Sequence, residues 1–153
     1  MSKRAAAVAV ISALFMSILT SLASPAQAAS YMQIDVVYYN SPGADTGSNA
    51  SLNGEWIRIK NTDSINHTLT GWTVRDAANH VYKFPTTTIK AKSTVTLRTG
   101  QGTNGNSTRY WQQSWYIWNN TGDTAYLRGP SGTLHDSCSY TGGGTYRPAD
   151  PNS

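Results

Sequence analysis

Apolar and polar residues alternate with a period of two along several short stretches of the chain. The clearest is EWIRIKN at residues 55–61, where Glu55, Ile57 and Ile59 share one face and the even-numbered positions share the other. Successive side chains of a β-strand point to opposite faces of its sheet, so this pattern predicts a half-buried strand.

Similar stretches, rich in β-branched and aromatic residues, follow one another at short intervals, with turns of Gly, Asn, Asp and Ser between them. They cover residues 31–39, 67–76, 80–85, 93–100, 123–129 and 133–140. Helix-favouring composition is scarce after the first 30 residues. About seven short strands separated by turn signals predict an all-β fold, an antiparallel β-sandwich.

Six motifs occur in order along these predicted strands: NGEWIRIKN, LTGWTVRD, YKFP, STVTLRTG, WNNTGDTAYLRGPSG and LHDSCSY. As an ordered set they resemble the lamin tail domain family over residues 34–140. The resemblance implies an immunoglobulin-like β-sandwich, found in nuclear lamin tails and in many secreted or surface-attached bacterial proteins. The chain is most similar to a secreted, single-domain bacterial type, because it contains no coiled-coil heptads, prenylation signal or partner enzyme.

The resemblance also implies a set of structural residues. They are Glu55, Ile57, Ile59, Gly71, Trp72, Asp76, Pro85, Trp118, Asp123 and Asp136. Within this set we expect Gly71 to permit a close approach of the chain and Trp72 to fill space between the sheets. Asp76 should accept backbone N–H groups in the turn that follows it. Trp118 is expected in the core.

The two ends of the chain differ from its middle. Two basic residues at positions 3 and 4 precede a nearly uncharged apolar run that closes on an A-x-A site. This predicts a signal peptide over residues 1–28, with an N-terminal membrane anchor as the alternative. We expect one domain over residues 29–140, secreted to the extracellular space and not attached to a membrane after cleavage. Residues 141–153, rich in Gly and Pro, predict a flexible tail.

The charge of the chain bears on whether it binds nucleic acid. The chain has 12 basic and 8 acidic residues, and loss of the two basic residues of the signal peptide lowers the excess from four to two. No block of Lys or Arg suits a phosphate backbone, so we expect no dedicated nucleic-acid binding.

For Cys138, the sole cysteine, we expect a buried thiol in a monomer. An intermolecular disulfide is the alternative.

The residues that could carry chemistry form no recognisable catalytic or metal-binding pattern. His67, His80 and His135 lack metal-ligand spacing, and the aspartates sit mostly at turns, where they accept backbone N–H groups. No G-x-S-x-G elbow is present. A calcium loop at residues 45–55 is disfavoured because acidic side chains are sparse there. We expect no enzyme activity, no metal and no cofactor.

The strongest functional candidate is RYWQQSWYIWNN at residues 109–120. Its candidate contact residues are Arg109, Tyr110, Trp111, Trp115 and Tyr116. Exposed aromatic rings at the rim of the sandwich would stack on sugars or contact a partner protein. The alternative is a segment that folds back over one end of the sandwich. The sequence therefore predicts a secreted, non-enzymatic binding or adhesion module with an unknown protein or polysaccharide partner. The alternative function is a carbohydrate-binding module for extracellular or cell-wall polysaccharide.

Overall fold

The computed structural model describes residues 30–148. Almost all of the regular structure in this range is β-strand. In chain order the elements are β1 (Met32–Tyr38), α1 (Asn49–Leu52), β2 (Trp56–Asn61), β3 (His67–Thr68), β4 (Thr73–Arg75), β5 (Val81–Lys83), β6 (Thr88–Ile89), β7 (Thr94–Arg98), β8 (Thr108–Tyr110), β9 (Asp123–Arg128), β10 (Leu134–Tyr140) and β11 (Tyr146–Pro148).

Two sheets pack face to face. The five-stranded sheet has the order β11-β1-β2-β7-β8 and the four-stranded sheet has the order β10-β9-β4-β5, while β3 and β6 pair separately. All pairs are antiparallel except β7 and β8, which run parallel. This arrangement confirms the predicted immunoglobulin-like β-sandwich, with the one parallel pair as a departure from a purely antiparallel fold.

Alternate residues of β2 and the position before it are buried in the core, as the sequence pattern predicted. Glu55, Ile57 and Ile59 are all buried between the sheets, whereas the side chains that alternate with them face outward. Trp72 and Trp118 belong to the same buried cluster, so both expectations for these tryptophans are confirmed. Burial of such large apolar side chains is the main favourable term in the stability of a sandwich.

The β4–β5 hairpin carries a glycine before its first strand and a carboxylate in its turn. Gly71 adopts a φ of +81°, a left-handed conformation that favours glycine, and its N–H donates to the Phe84 carbonyl at 2.9 Å. Pro85 then ends the strand on the exposed side. Asp76 is buried, and its Oδ1 accepts the His80 N–H at 2.7 Å. The hairpin therefore obtains its shape from one glycine and one carboxylate.

Two further aspartates of the predicted structural set also accept backbone N–H groups. Asp136 Oδ2, on β10, accepts the Ile34 N–H at 2.6 Å across the sandwich, where the register of β1 shifts. Asp123 Oδ1 accepts the Ala77 N–H at 3.1 Å and so connects β9 to the β4–β5 turn. Each carboxylate satisfies a backbone donor that a bulge or turn leaves without a strand partner.

The structure corrects the prediction of an unpaired tail beyond residue 140. Tyr146–Pro148 form β11, which pairs antiparallel with β1 at the edge of the larger sheet. The Tyr39 and Asn40 N–H groups both donate to the Thr145 carbonyl at 3.1 Å, so the chain is already held before the strand begins. Gly and Pro content indicated a loose segment, but the free edge of β1 supplies backbone partners that local composition does not reveal.

The predicted signal peptide, residues 1–28, lies outside the described residues, as do residues 149–153. Between residues 30 and 148 no helix has the length and apolar character needed to cross a membrane.

Candidate binding surface

A row of large side chains crosses the outer face of the five-stranded sheet. Direct cross-strand pairing joins each member to the next, from edge to edge. In spatial order the members are Tyr146, Tyr38, Trp56, Arg98 and Tyr110, termed the aromatic row. Apart from Tyr146, each member is followed and preceded by a buried residue, as the alternation of a strand requires.

Three rings of the aromatic row stack on one another. The Tyr38 and Trp56 ring centroids are 5.1 Å apart with planes 15° from parallel, and those of Tyr38 and Tyr146 are 6.0 Å apart at 7°. The Arg58 guanidinium lies 5.5 Å from the Trp56 ring centroid and also pairs with Asp35. The three ring planes therefore lie nearly parallel, with Tyr38 between Trp56 and Tyr146.

The other half of the aromatic row is fixed by the loops at this end of the sandwich. The Arg98 Nη1 group donates to the Asn53 carbonyl, just after α1. The Tyr110 ring lies directly over Gly102, where any side chain would collide with it. Glycine at 102 is therefore a steric requirement for the position of Tyr110. These contacts hold both side chains in place.

A second aromatic pair, Trp115 and Tyr116, lies in the loop after β8. Trp115 is 66 % exposed, and its ring centroid lies 5.6 Å from that of Tyr116 at a steep angle. The Tyr116 hydroxyl lies 2.5 Å from Ser51 Oγ and accepts the Gly47 N–H at 3.3 Å. Tyr116 therefore anchors this loop to the α1 region, while Trp115 is presented to solvent.

The structure corrects the prediction for Trp111 and Arg109, which are not exposed. Trp111 is only 7 % exposed and lies 6.1 Å from Trp118, ring centroid to ring centroid, at 76°. Its N–H continues the β7 pairing by donating to the Arg98 carbonyl at 2.8 Å. Gln112 then adopts a φ of +64° and reverses the chain. Trp111 points inward because it continues the alternation of β8, whereas Trp115 follows the left-handed Gln112 in the loop and lies outside.

Of the five predicted contact residues, Trp115 is exposed, Tyr110 and Tyr116 are half-buried, and the other two are buried. The sequence interpretation missed Tyr38, Trp56, Arg98 and Tyr146. Three of these were detectable, because they occupy the non-core positions of predicted strands. Tyr146 was not, because it falls in the predicted tail.

Glu55 anchors the loop after β8, which carries Trp115 and Tyr116, from inside the sandwich. It is 1 % exposed, and its Oε1 accepts the Thr99 hydroxyl at 2.6 Å and the Ile117 N–H at 2.9 Å. Removal of the carboxyl from water raises its pKa from 4.5 to about 7, although these hydrogen bonds act in the opposite direction. The carboxyl thus connects β2 to the backbone between Tyr116 and Trp118.

The titratable groups of the described residues serve local structure. His80 pairs with Asp76 at 2.6 Å, and His67 pairs with Asp63 at 2.8 Å. Between residues 30 and 148 no group of three His, Cys, Asp or Glu side chains is arranged to hold a metal ion. Glu55 points into the core and so does not belong to the disfavoured calcium loop at residues 45–55.

Comparison with known proteins agrees with this architecture. A search among curated proteins finds no match. A family model described as the Lamin Tail Domain matches residues 25–142, which is most of the chain. The matched range contains both sheets of the sandwich except β11, together with Gly71 and Asp76 on either side of β4. The chain therefore belongs to the lamin tail domain family.

Proposed function

We propose that this chain is a secreted binding module that docks a partner protein on the outer face of its five-stranded sheet. The observation that carries the proposal is the aromatic row, in which Tyr, Trp and Arg stand side by side across the whole sheet. These are the three residue types most enriched among energetically dominant interface residues. Domains of this family are in general non-catalytic, which agrees with a binding role.

The size of the aromatic row suits the centre of a protein interface. Four strand spacings of about 4.8 Å make it about 19 Å wide. Tyr146 at one end is 54 % exposed, and the other members are half-buried and held by neighbours. Rings that are already ordered lose little conformational entropy on binding, so their contacts contribute more of their energy to affinity.

The stacking geometry favours a protein over a polysaccharide as the partner. A sugar ring binds best to an open aromatic face, and in this row the faces of Tyr38 and Trp56 cover each other. Ring edges, hydroxyl groups and a guanidinium remain for contact. Those groups suit the mixed apolar and hydrogen-bonding surface of a protein.

A carbohydrate-binding role is the second candidate, and a different residue supports it. Trp115 is 66 % exposed, and its ring meets Tyr116 at 72° and does not stack in parallel on it. An open indole on a loop is able to stack on a pyranose ring. In this case the ligand is an extracellular or cell-wall polysaccharide, and the aromatic row is not required.

The two candidates are separated by capturing ligands with two variants. The secreted protein is immobilised and exposed to culture-supernatant and cell-wall fractions, each treated beforehand with either a protease or polysaccharide hydrolases. The first variant is Tyr38→Ser with Trp56→Ser, and the second is Trp115→Ala. The matched control is Tyr126→Ser, because Tyr126 is half-buried on the outer face of the opposite sheet beside Arg75 and Arg128.

We expect capture that is lost after protease treatment and lost in the Tyr38/Trp56 variant, with the control unchanged. Capture that survives protease but fails in the Trp115 variant assigns the carbohydrate function instead. If all three variants capture the same material as the parent protein, both candidates are wrong. Circular dichroism of each variant establishes that a loss of capture does not reflect unfolding.

A further inference from the structure

Arg109 is a buried cation without a carboxylate partner. It is 7 % exposed, on β8 at the open edge of the five-stranded sheet. Its Nε donates to Thr87 Oγ1 at 3.2 Å and its Nη1 to the Thr108 carbonyl at 3.1 Å. The ion pairs found between residues 30 and 148 involve Arg58, His67 and His80, and none includes Arg109.

Such a side chain is costly to bury alone. A guanidinium remains charged at any physiological pH and offers five N–H donors in a rigid fork. Two of those donors are used by neutral oxygens, which compensate a buried charge less well than an anion does. The Nη2 group makes no hydrogen bond within residues 30–148, and it is not one of the buried side-chain atoms left without a partner, so it remains accessible from the groove side. An oxyanion would accept hydrogen bonds from the remaining N–H donors and neutralise the charge of Arg109.

Arg109 lies at the wall of a groove of about 530 Å³. This volume lies within the range of small-molecule sites, about 300–1,000 Å³. The groove is lined mainly by hydroxyl and amide side chains and contains no acidic residue. Its polar lining includes Asn66, Thr88, Lys90, Ser93, Asn106 and Ser107.

We propose that this groove binds a sugar that carries an anionic group. The Arg109 guanidinium donates hydrogen bonds to the oxyanion, and the Lys90 ammonium adds a second positive charge. The surrounding hydroxyl and amide groups form hydrogen bonds with the sugar hydroxyls. Planar, bidentate recognition of a carboxylate or a phosphate is the interaction that a guanidinium makes best. The shared chemistry is an oxyanion on a polyhydroxylated ring.

The groove and the aromatic row lie on different faces of β8. Arg109 lines the groove and Tyr110 belongs to the row, and these residues are neighbours on β8. Successive side chains of a strand point to opposite faces, so Arg109 is buried towards the inner face while Tyr110 lies on the outer face. The groove proposal therefore stands whether or not the row binds a protein.

The test is a titration of the isotope-labelled protein, followed by NMR through the Arg109 side-chain Nε–Hε signal and the amides of Thr88 and Ser107. Three ligands are compared: glucuronate, glucose 6-phosphate and glucose. The first two distinguish a carboxylate from a phosphate as the anion, and glucose is the neutral control. We expect saturable shifts at Arg109 with at least one acidic sugar and none with glucose.

Three substitutions supply the comparison. Arg109→Met keeps a long apolar stem in the edge of the core but removes the charge, and we expect the Kd for the acidic sugar to rise at least tenfold. Arg75→Met, on the outer face of the other sheet, should leave the Kd unchanged. Lys90 is exposed, so the protein should tolerate Lys90→Met. We expect this substitution to raise the Kd for the acidic sugar by a smaller factor than Arg109→Met does.

The proposal is overturned if glucose shifts Arg109 as strongly as the acidic sugars do. It is equally overturned if neither acidic sugar shifts the parent protein's Arg109 signal. A folded Arg109→Met protein with unchanged affinity also overturns it. The parent titration and Lys90→Met decide the question even where Arg109→Met does not fold.

Discussion

At the scale of single residues, Glu55 couples the fold to pH. Its carboxyl is buried, and none of the ion pairs of the described residues includes it. Loss of hydration raises its pKa from 4.5 to about 7. The native state therefore holds the Glu55 proton more tightly than the unfolded chain does. This stabilising contribution is complete below pH 4.5 and is lost as pH rises to about 7.

We accordingly expect the Glu55 contribution to lower the free energy of unfolding as pH rises through this window. A pKa difference of this size corresponds to about 3 kcal/mol. Urea unfolding across the window measures the effect, and Glu55→Gln is the matched control. The amide keeps an oxygen for Thr99 and Ile117 but does not titrate, so the slope should become smaller. Asp136, whose pKa burial also raises, leaves a residual slope of the same sign. An identical slope in the parent protein and the variant would show that Glu55 is not responsible.

The three tryptophans of residues 109–120 should respond differently to truncation. Trp111→Ala and Trp118→Ala empty sites in the core and should each cost about 3–5 kcal/mol. Trp115→Ala removes an exposed ring and should change stability by less than about 0.5 kcal/mol. Chemical denaturation of the three variants measures these costs. Equal losses for Trp115 and Trp111 would show that Trp115 packs in solution.

At the scale of elements, β11 protects the edge of the larger sheet. It covers β1 and places Tyr146 against Tyr38. Truncation after Thr145 should leave a folded sandwich with a lower melting temperature and a greater tendency to aggregate, because a bare edge strand offers unpaired backbone groups. Calorimetry and light scattering measure the two effects. Truncation after Pro148, which leaves β11 in place, is the control and should match the full chain.

At the scale of the whole molecule, burial of Cys138 bears on the oligomeric state. The thiol is 5 % exposed, in the core cluster between the sheets, which confirms the expectation of a buried small hydrophobe. An intermolecular disulfide would require this residue to leave the core. We predict the same monomeric mass with and without reductant, measured by size-exclusion chromatography with light scattering. A dimer that reductant dissociates would contradict this prediction.

Secretion is also a prediction about the whole molecule. The A-x-A site ending at residue 28 should be cut by signal peptidase, because it supplies the small side chains that the enzyme requires. N-terminal sequencing of the exported protein should begin at or near Ala29. Exported protein that still carries the basic residues at positions 3 and 4 would support the membrane-anchor alternative.

The sequence by itself determined which residues share a face and where the chain turns. The alternation at residues 55–61 identified Ile57 and Ile59 as core, and Asp76 identified the turn that follows it. Both features depend on backbone geometry over a few residues, which a local pattern records directly. The ordered set of motifs then indicated the family.

Only the tertiary structure decided which distant residues meet. The aromatic row exists because five strands from separate parts of the chain align in one register, and no local pattern encodes that register. Trp111 and Trp115 are four positions apart and similar in sequence context. Trp111 still pairs with β7 and lies inside, whereas Trp115 follows the left-handed Gln112 in the loop and lies outside. The burial of Arg109 was likewise decided by tertiary structure. Its charge predicts exposure, but in the folded chain it lies buried against Thr87, which is 22 residues away in sequence.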